Sequence, residues 1–274
     1  MIEDRYAVIG NPVEHSKSPQ IHAAFAAQTA QHMRYDRLLA PLDGFRAQVQ
    51  AFYAAGGKGL NVTVPFKQDA WRLAMRLSKR AQLAEAVNTL RFDGPTIYGD
   101  NTDGIGLCTD ICDNLGVALQ GKRILLLGAG GAVRGVLLPL LERHPASLTV
   151  ANRTAAKAQQ LAEQFASHGP VSGGGYADLA GQSFDVIING TSASLTDELP
   201  PLPSGCFASG SLAYDMMYGK GLTPFLQFAQ QQGAARQADG LGMLVEQAAE
   251  SFLLWRGVKP RTQPVIAQLR AGLC

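Results

Sequence analysis

The apolar run at 124–127 (Ile124, Leu125, Leu126, Leu127) is bounded by Lys122 and Arg123 before it and by glycines after it. Such a run, closed by charge on one side and a turn on the other, predicts a strand buried on both faces. An apolar helix over 132–141 follows. From there apolar strands and helical stretches alternate. Strands are expected at 123–127, 148–152, weakly near Val171, then at 185–189, 212–216 and 234–238, with helices between them such as 154–167 and 223–232. That rhythm belongs to a parallel sheet wound on both faces. Upstream the pattern gives strands at 5–9, 35–40, 59–65 and 87–92. Helices are expected at 20–28, 43–55 (capped by Asp43), 68–77 and 105–115, with a helical turn at 81–86. The last part, 241–255 and 263–272, reads as two helices without a further strand, expected to pack back on the first domain. The fold class expected is α/β with two domains.

The turn after the first strand of the second half is Gly128-Ala129-Gly130-Gly131-Ala132. A strand, a glycine turn and a helix N-terminus make an anion site, because free N–H groups and the positive end of the helix dipole converge. A dinucleotide pyrophosphate is the natural ligand of that geometry. A purely structural turn is the alternative, since Val133 stands where the usual fingerprint has its third glycine. The next strand ends about 20 residues on, where NAD enzymes carry an acid for the ribose hydroxyls. Here the residues are Asn152, Arg153 and Thr154, then Lys157. No acid would repel a phosphate and two cations would attract one, so the site reads as NADP rather than NAD.

Composition narrows the partners. Hydrophobic residues make up 46% and charged residues 17%, enough to fill a core and too apolar for disorder. Net charge is +2 with no basic run, which argues against nucleic acid as partner. No stretch is long and apolar enough to span a membrane, and the acidic start runs straight into a strand, so no export signal is expected. Cys108 and Cys112 lie one helical turn apart, not at a zinc spacing; with Cys206 and Cys274 they read as core residues of a cytoplasmic protein. His15, His22, His32, His144 and His168 follow no ligand pattern, so no metal is expected.

Candidate chemistry gathers in the polar loops of the first half. Ser16 and Ser18 flank Lys17, and two serines there could grip a carboxylate. Ser18, followed by Pro19, serves equally as a helix N-cap; Ser16 has no such explanation. Alternation over 59–65 puts Asn61, Thr63 and Pro65 on one face, leading to Phe66 and Lys67. Interconverting an alcohol and a ketone needs a hydride carrier and a group that handles the hydroxyl proton. Lys67 can be that group and Asp103 its partner. Taken singly, Lys67 is also readable as a solvated lysine and Asp103 as a helix cap.

The chain resembles bacterial shikimate dehydrogenases over its whole length. The resemblance rests on Gly10-Asn11-Pro12 with His15-Ser16-Lys17-Ser18-Pro19, on Asn61-Val62-Thr63-Val64-Pro65-Phe66-Lys67, on Val87-Asn88-Thr89, and on Asn101-Thr102-Asp103-Gly104. It continues through the glycine loop, Asn152-Arg153-Thr154, Tyr214-Asp215-Met216 to Tyr218, and Asp239-Gly240-Leu241-Gly242-Met243 with Gln247. The resemblance implies NADPH-dependent reduction of 3-dehydroshikimate, with Lys67 and Asp103 as the catalytic pair. It implies that Ser16, Ser18, Asn61, Thr63, Asn88, Tyr218 and Gln247 also hold the substrate. The cofactor would meet Gly128, Ala129, Gly130, Gly131, Ala132, Asn152, Arg153, Thr154, Lys157, Met216 and Gly240. It further implies a substrate domain of residues 1–103 plus 241–274, a Rossmann-type NADP domain of 104–240, and a cleft between them. Ser194 departs from the family, where glycine is frequent. A quinate/shikimate dehydrogenase using NAD, and a non-catalytic dinucleotide-binding protein, are the competing expectations. The first is opposed by the Asn152-Arg153-Thr154 turn, the second by an intact Lys67 and Asp103. The assembly expected is a monomer or homodimer.

Overall fold

In a computed structural model, residues 3–191 and 199–273 are described. The chain divides into two compact units: Met1–Gly106 with Val245–Ala267, and Leu107–Leu244 with Gln268–Cys274.

The first unit contains β1 (Asp4–Gly10), α1 (Ser18–Gln28), β2 (Met33–Leu39), α2 (Phe45–Ala54), β3 (Gly57–Val62) and α3 (Lys67–Leu73). Then come β4 (Arg76–Leu77), α4 (Lys79–Ala84), β5 (Thr89–Asp93), β6 (Thr96–Asp100) and the start of α5 (Asp103–Thr109), which crosses into the second unit after Gly106. The sheet order is β2-β1-β3-β5-β6-β4. β1 runs parallel to β2 and β3, whereas β5 is antiparallel to both β3 and β6. Alternate strand residues face opposite sides. In β3, Leu60 and Val62 therefore join a core with Val49, Phe52, Phe66, Val87 and Leu90. Gly59 and Asn61 face the other way. A Cβ on Gly59 would come within 2.5 Å of the Trp255 indole nitrogen, so only glycine lets that ring lie on the strand. Trp255 ends near the C-terminus of α9 (Leu241–Arg256), donates to the Leu90 carbonyl at 3.0 Å and stacks on Tyr6 at 4.7 Å.

The second unit contains β7 (Arg123–Leu127), α6 (Gly131–Leu141), β8 (Ser147–Ala151), α7 (Ala155–Phe165), β9 (Val171–Gly174) and β10 (Phe184–Asn189). β11 (Phe207–Asp215), α8 (Pro224–Gln231) and β12 (Arg236–Asp239) complete the sheet. All its pairings are parallel, in the order β12-β11-β10-β7-β8-β9. With β7 as the first strand this is the doubly wound dinucleotide-binding order. Ile124 to Leu127 are wholly buried, as their apolar run demands, each side chain contributing about 1.5–3 kcal/mol. α7 lies directly on β9: a Cβ on Gly173 would come 2.1 Å from the Ala158 carbonyl oxygen. α10 (Gln263–Ala271) begins in the first unit and ends in the second, where Arg270 grips Asp239 with bonds of 2.6 and 2.5 Å. α9 likewise crosses the division between Leu244 and Val245. The C-terminal helices thus belong largely to the first unit.

Several local expectations are corrected. The helix expected over 68–77 stops at Leu73: Ala74 turns extended (ψ 132°), and the Met75 N–H donates to Ile97 to begin β4. Asp43 caps nothing; Gly44 holds the cap position of α2 without a side-chain bond. Lys17, not Ser18, is the N-cap of α1, and Ser18 is its first helical residue. The stretch 97–100, given no strand from its pattern, is the antiparallel partner of β5. The helix expected over 105–115 begins at Asp103 and passes into a π-helical turn, Asp110–Asn114.

Candidate active site

Lys67 opens α3 after its N-cap Phe66, two residues past Pro65, and Asp103 opens α5 after β6. The Lys67 ammonium donates to Asp103 Oδ2 at 2.5 Å, with 24% of the lysine side chain and 10% of the aspartate side chain exposed. The other carboxylate oxygen, Oδ1, accepts from Asn88 Nδ2 at 2.8 Å. The Asn88 amide is oriented by the Thr102 N–H, which donates to its Oδ1 at 2.9 Å. Its Nδ2 also reaches Gln247 Oε1 on α9, at 3.2 Å. Lys67, Asp103, Asn88 and Gln247 are thereby joined in one network.

Asn61 lies deeper, 6% exposed. Its Oδ1 accepts from Tyr35 at 2.7 Å and bonds His22 Nε2 at 3.2 Å, while its Nδ2 reaches Ser251 Oγ, Thr89 Oγ1 and the Asn88 carbonyl. Only a donor can face the Asn88 carbonyl, which sets the amide orientation and makes His22 Nε2 a donor. Burial holds the His22 pKa down at about 3, so the ring is neutral and carries its proton on Nε2. Ser16 and Ser18 are joined to each other: Ser16 Oγ accepts the Ser18 N–H at 3.3 Å, so Ser16 has a local role too. Thr63 is half-buried just beyond β3, and its N–H donates to the Ile9 carbonyl. Tyr218 is half-buried in the second unit, where desolvation raises its pKa.

In the second unit Gly128 has φ +108°, a conformation glycine alone adopts freely. Gly130 is the N-cap of α6 and Gly131 its first residue, and a Cβ on either would meet nothing within 4 Å. Ala129 and Ala132 flank that open space. The gap suits a ligand approaching the helix N-terminus closely. Across the strand end, Asn152 is half-buried and its amide closes a turn onto the Thr154 carbonyl at 3.1 Å. Arg153, Thr154 and Lys157 are exposed, with no acid among them. At the ends of β11 and β12, Met216 and Gly240 touch so closely that a Cβ on Gly240 would lie 2.2 Å from the Met216 carbonyl oxygen. Asp215 braces this turn, accepting from Thr223 Oγ1, Asn189 Nδ2 and the Met217 N–H. The residues present fit a dinucleotide phosphate. Ser194 lies outside the described residues.

The sequence pattern singles out neither Thr102 and Ser251 nor Arg80 and Asp100, which the fold adds to the hydrogen-bond networks. Thr102 sits inside a motif quoted above, whereas Ser251 and Arg80 belong to none, and only the fold brings them together.

A doubly wound sheet with an open glycine turn, and a lysine–carboxylate pair in a polar network, define a dinucleotide-dependent oxidoreductase. Residues 8–90 match the shikimate dehydrogenase substrate-binding domain. Residues 110–196 match the shikimate / quinate 5-dehydrogenase family, and 240–270 the shikimate 5'-dehydrogenase C-terminal domain. The chain is 65% identical to the shikimate dehydrogenase (NADP(+)) of Dechloromonas aromatica over 99% of both chains. It is similar to an Ael1 enzyme from Pseudomonas putida (TM-score 0.93, 55% identity, 97% of this chain and 98% of that one). It is also similar to the shikimate 5-dehydrogenase of Thermus thermophilus in complex with NADP(H) and shikimate (TM-score 0.86, 31% identity, 98% and 100%). The chain belongs to the shikimate dehydrogenase family.

Proposed function

We infer that this chain catalyses the reversible NADPH-dependent reduction of 3-dehydroshikimate to shikimate, a step of aromatic amino-acid (chorismate) biosynthesis. The observation that carries the reading is the Lys67–Asp103 pair, tied through Asn88 to Gln247. NADPH supplies the hydride when bound. Lys67 Nζ gives its proton to the carbonyl oxygen as charge develops there, and takes the hydroxyl proton back in the reverse direction. Its partial exposure lets solvent restore the proton. Asp103 aims the ammonium with Oδ2 while Asn88 holds Oδ1.

Ser16 and Ser18 grip the substrate carboxylate. Accepting the Ser18 N–H uses a lone pair of Ser16 Oγ and leaves its proton for the substrate. Asn61, Thr63, Asn88, Tyr218 and Gln247 complete the substrate contacts. Gly128 to Ala132 hold the pyrophosphate, with Met216 and Gly240 beside the cofactor, and Asn152 to Thr154 with Lys157 hold the ribose phosphate. The substrate domain is 1–103 plus 241–274 and the NADP domain 104–240. Cys108, Cys112 and Cys206 are free thiols, which supports a cytoplasmic location. Among the described residues no helix is long and apolar enough to cross a membrane. The assembly we propose is a monomer or homodimer.

The test is absorbance of the reduced nicotinamide with shikimate or quinate, each with NADP+ or NAD+. Shikimate with NADP+ is expected to give the highest kcat/KM. Faster turnover of quinate with NAD+, or no turnover of shikimate, would overturn the reading.

A further inference from the structure

Arg80 on α4 touches neither Lys67 nor Asp103, yet its bonds lead to both. Its guanidinium binds Asp100 in fork geometry, Nε to Oδ1 at 2.8 Å and an Nη to Oδ2 at 2.7 Å. The same terminal nitrogen reaches Glu250 Oε1 on α9 at 3.2 Å. The Asp100 carboxylate is 5% exposed and also accepts from Ser78 Oγ at 2.5 Å and the Asn101 N–H at 2.7 Å. Asn101 passes the constraint on: its Oδ1 accepts the Asp103 N–H at 3.1 Å, and its Nδ2 donates to the Ala86 carbonyl at 3.1 Å. The next residue, Val87, donates its N–H to the Lys67 carbonyl at 2.9 Å. Glu250 stands one helical turn beyond Gln247 on α9.

We propose that Arg80 is a positioning residue for the reaction, clamping the 100–103 loop to α9 so that Asp103 meets Lys67 in working geometry. This rests on Lys67 and Asp103 being the proton-handling pair. A buried carboxylate needs a partner in any case, but a point charge would suffice for that. Two parallel bonds to Asp100 and a third to Glu250 fix direction as well, which a planar guanidinium does and an ammonium does not.

The test is steady-state kinetics on Arg80→Lys and Asp100→Asn, each checked for native near-ultraviolet circular dichroism. Arg80→Lys keeps the charge and loses the fork. Its kcat is expected to fall roughly ten- to a hundredfold, the scale of a misplacement transmitted to reacting groups, with the KM for NADPH unchanged. Asp100→Asn should show the same pattern, and the double variant should lose little more than either single one. Arg34→Lys, in an exposed pair with Asp36, is the control and should keep the parent kcat. A folded Arg80→Lys enzyme with kcat within twofold of the parent, and only a lowered Tm, would overturn the proposal. So would a rise in KM without loss of kcat, or fully additive effects. A parent enzyme that fails to turn over shikimate would sink the assignment of the reaction instead, and this role with it.

Discussion

Lys67→Ala separates catalysis from stability by size of effect. In the parent the Lys67 side chain is a quarter exposed, and its ammonium bonds Asp103, whose side chain is 10% exposed. Breaking a fully buried ion pair by removing one partner costs about 3–5 kcal/mol. Two features reduce that here. Water already reaches the lysine, and Asp103 keeps the Asn88 bond at 2.8 Å and its place at the start of α5. A stability loss of about 1–2 kcal/mol is therefore expected, or about 2–8 °C in Tm. Turnover should suffer more, because the proton is handled in the transition state. General acid–base catalysis contributes roughly 100- to 10,000-fold, equal to about 2.7–5.4 kcal/mol at 1.36 kcal/mol per decade. The assay is steady-state oxidation of shikimate at saturating NADP+, with thermal unfolding on the same sample. The expected result is a collapse of kcat in a folded protein, with KM for shikimate changed far less. A kcat within a few-fold of the parent would refute the reasoning and leave Lys67 a binding residue.

Arg153→Ala should raise the KM for NADP+ by about one to two powers of ten, for a charge-assisted phosphate contact of roughly 1.5–3 kcal/mol, while sparing NAD+; equal losses for both cofactors would remove the phosphate role. Ser16→Ala should weaken shikimate binding with little change in NADP+ affinity, and cost only a small amount of stability through the lost Ser18 N–H bond; calorimetric binding that matches the parent would make Ser16 purely structural. For His22 the sign of the pH dependence follows from burial. The unfolded chain takes up its proton below the ordinary value of 6.5, and the folded protein only near 3. Its contribution is complete above about pH 6.5 and is lost as pH falls towards about 3, by about 1.4 kcal/mol per pH unit. Urea midpoints at pH 7 and pH 5 should therefore differ less in His22→Gln than in the parent, and an identical difference in both would count against the neutral buried histidine.

The second unit was the more legible half. A strand buried on both faces shows as a bare apolar run, which β7 carries over 124–127 and β10 over 186–188. β4 could not be read this way: two residues make no period, and Ala70, Leu73, Ala74 and Leu77 keep a helical spacing past the point where Ala74 turns extended. Alternation put Asn61 opposite Leu60 correctly, but did not reveal how its amide is engaged. Its partners Ser251 and His22 lie 190 and 39 residues away, and pairings that distant leave no local trace. The same distance hides the Arg80–Glu250 contact, 170 residues apart. At Asp43 and Ser18, residues of the right type sit next to the cap position without filling it.

Gly173 carries a lesson for anyone who redesigns cofactor preference. The loop with Arg153 and the helix with Lys157 would be the obvious cassette to move between related enzymes. Yet α7 rests on β9 at a point where even a methyl group would strike the helix backbone. A recipient with a larger residue at that strand position would lift the helix, and with it the Lys157 proposed to meet the phosphate. The portable unit is therefore the cassette together with a glycine some twenty residues downstream, a dependence that swapping surface charges alone would never disclose.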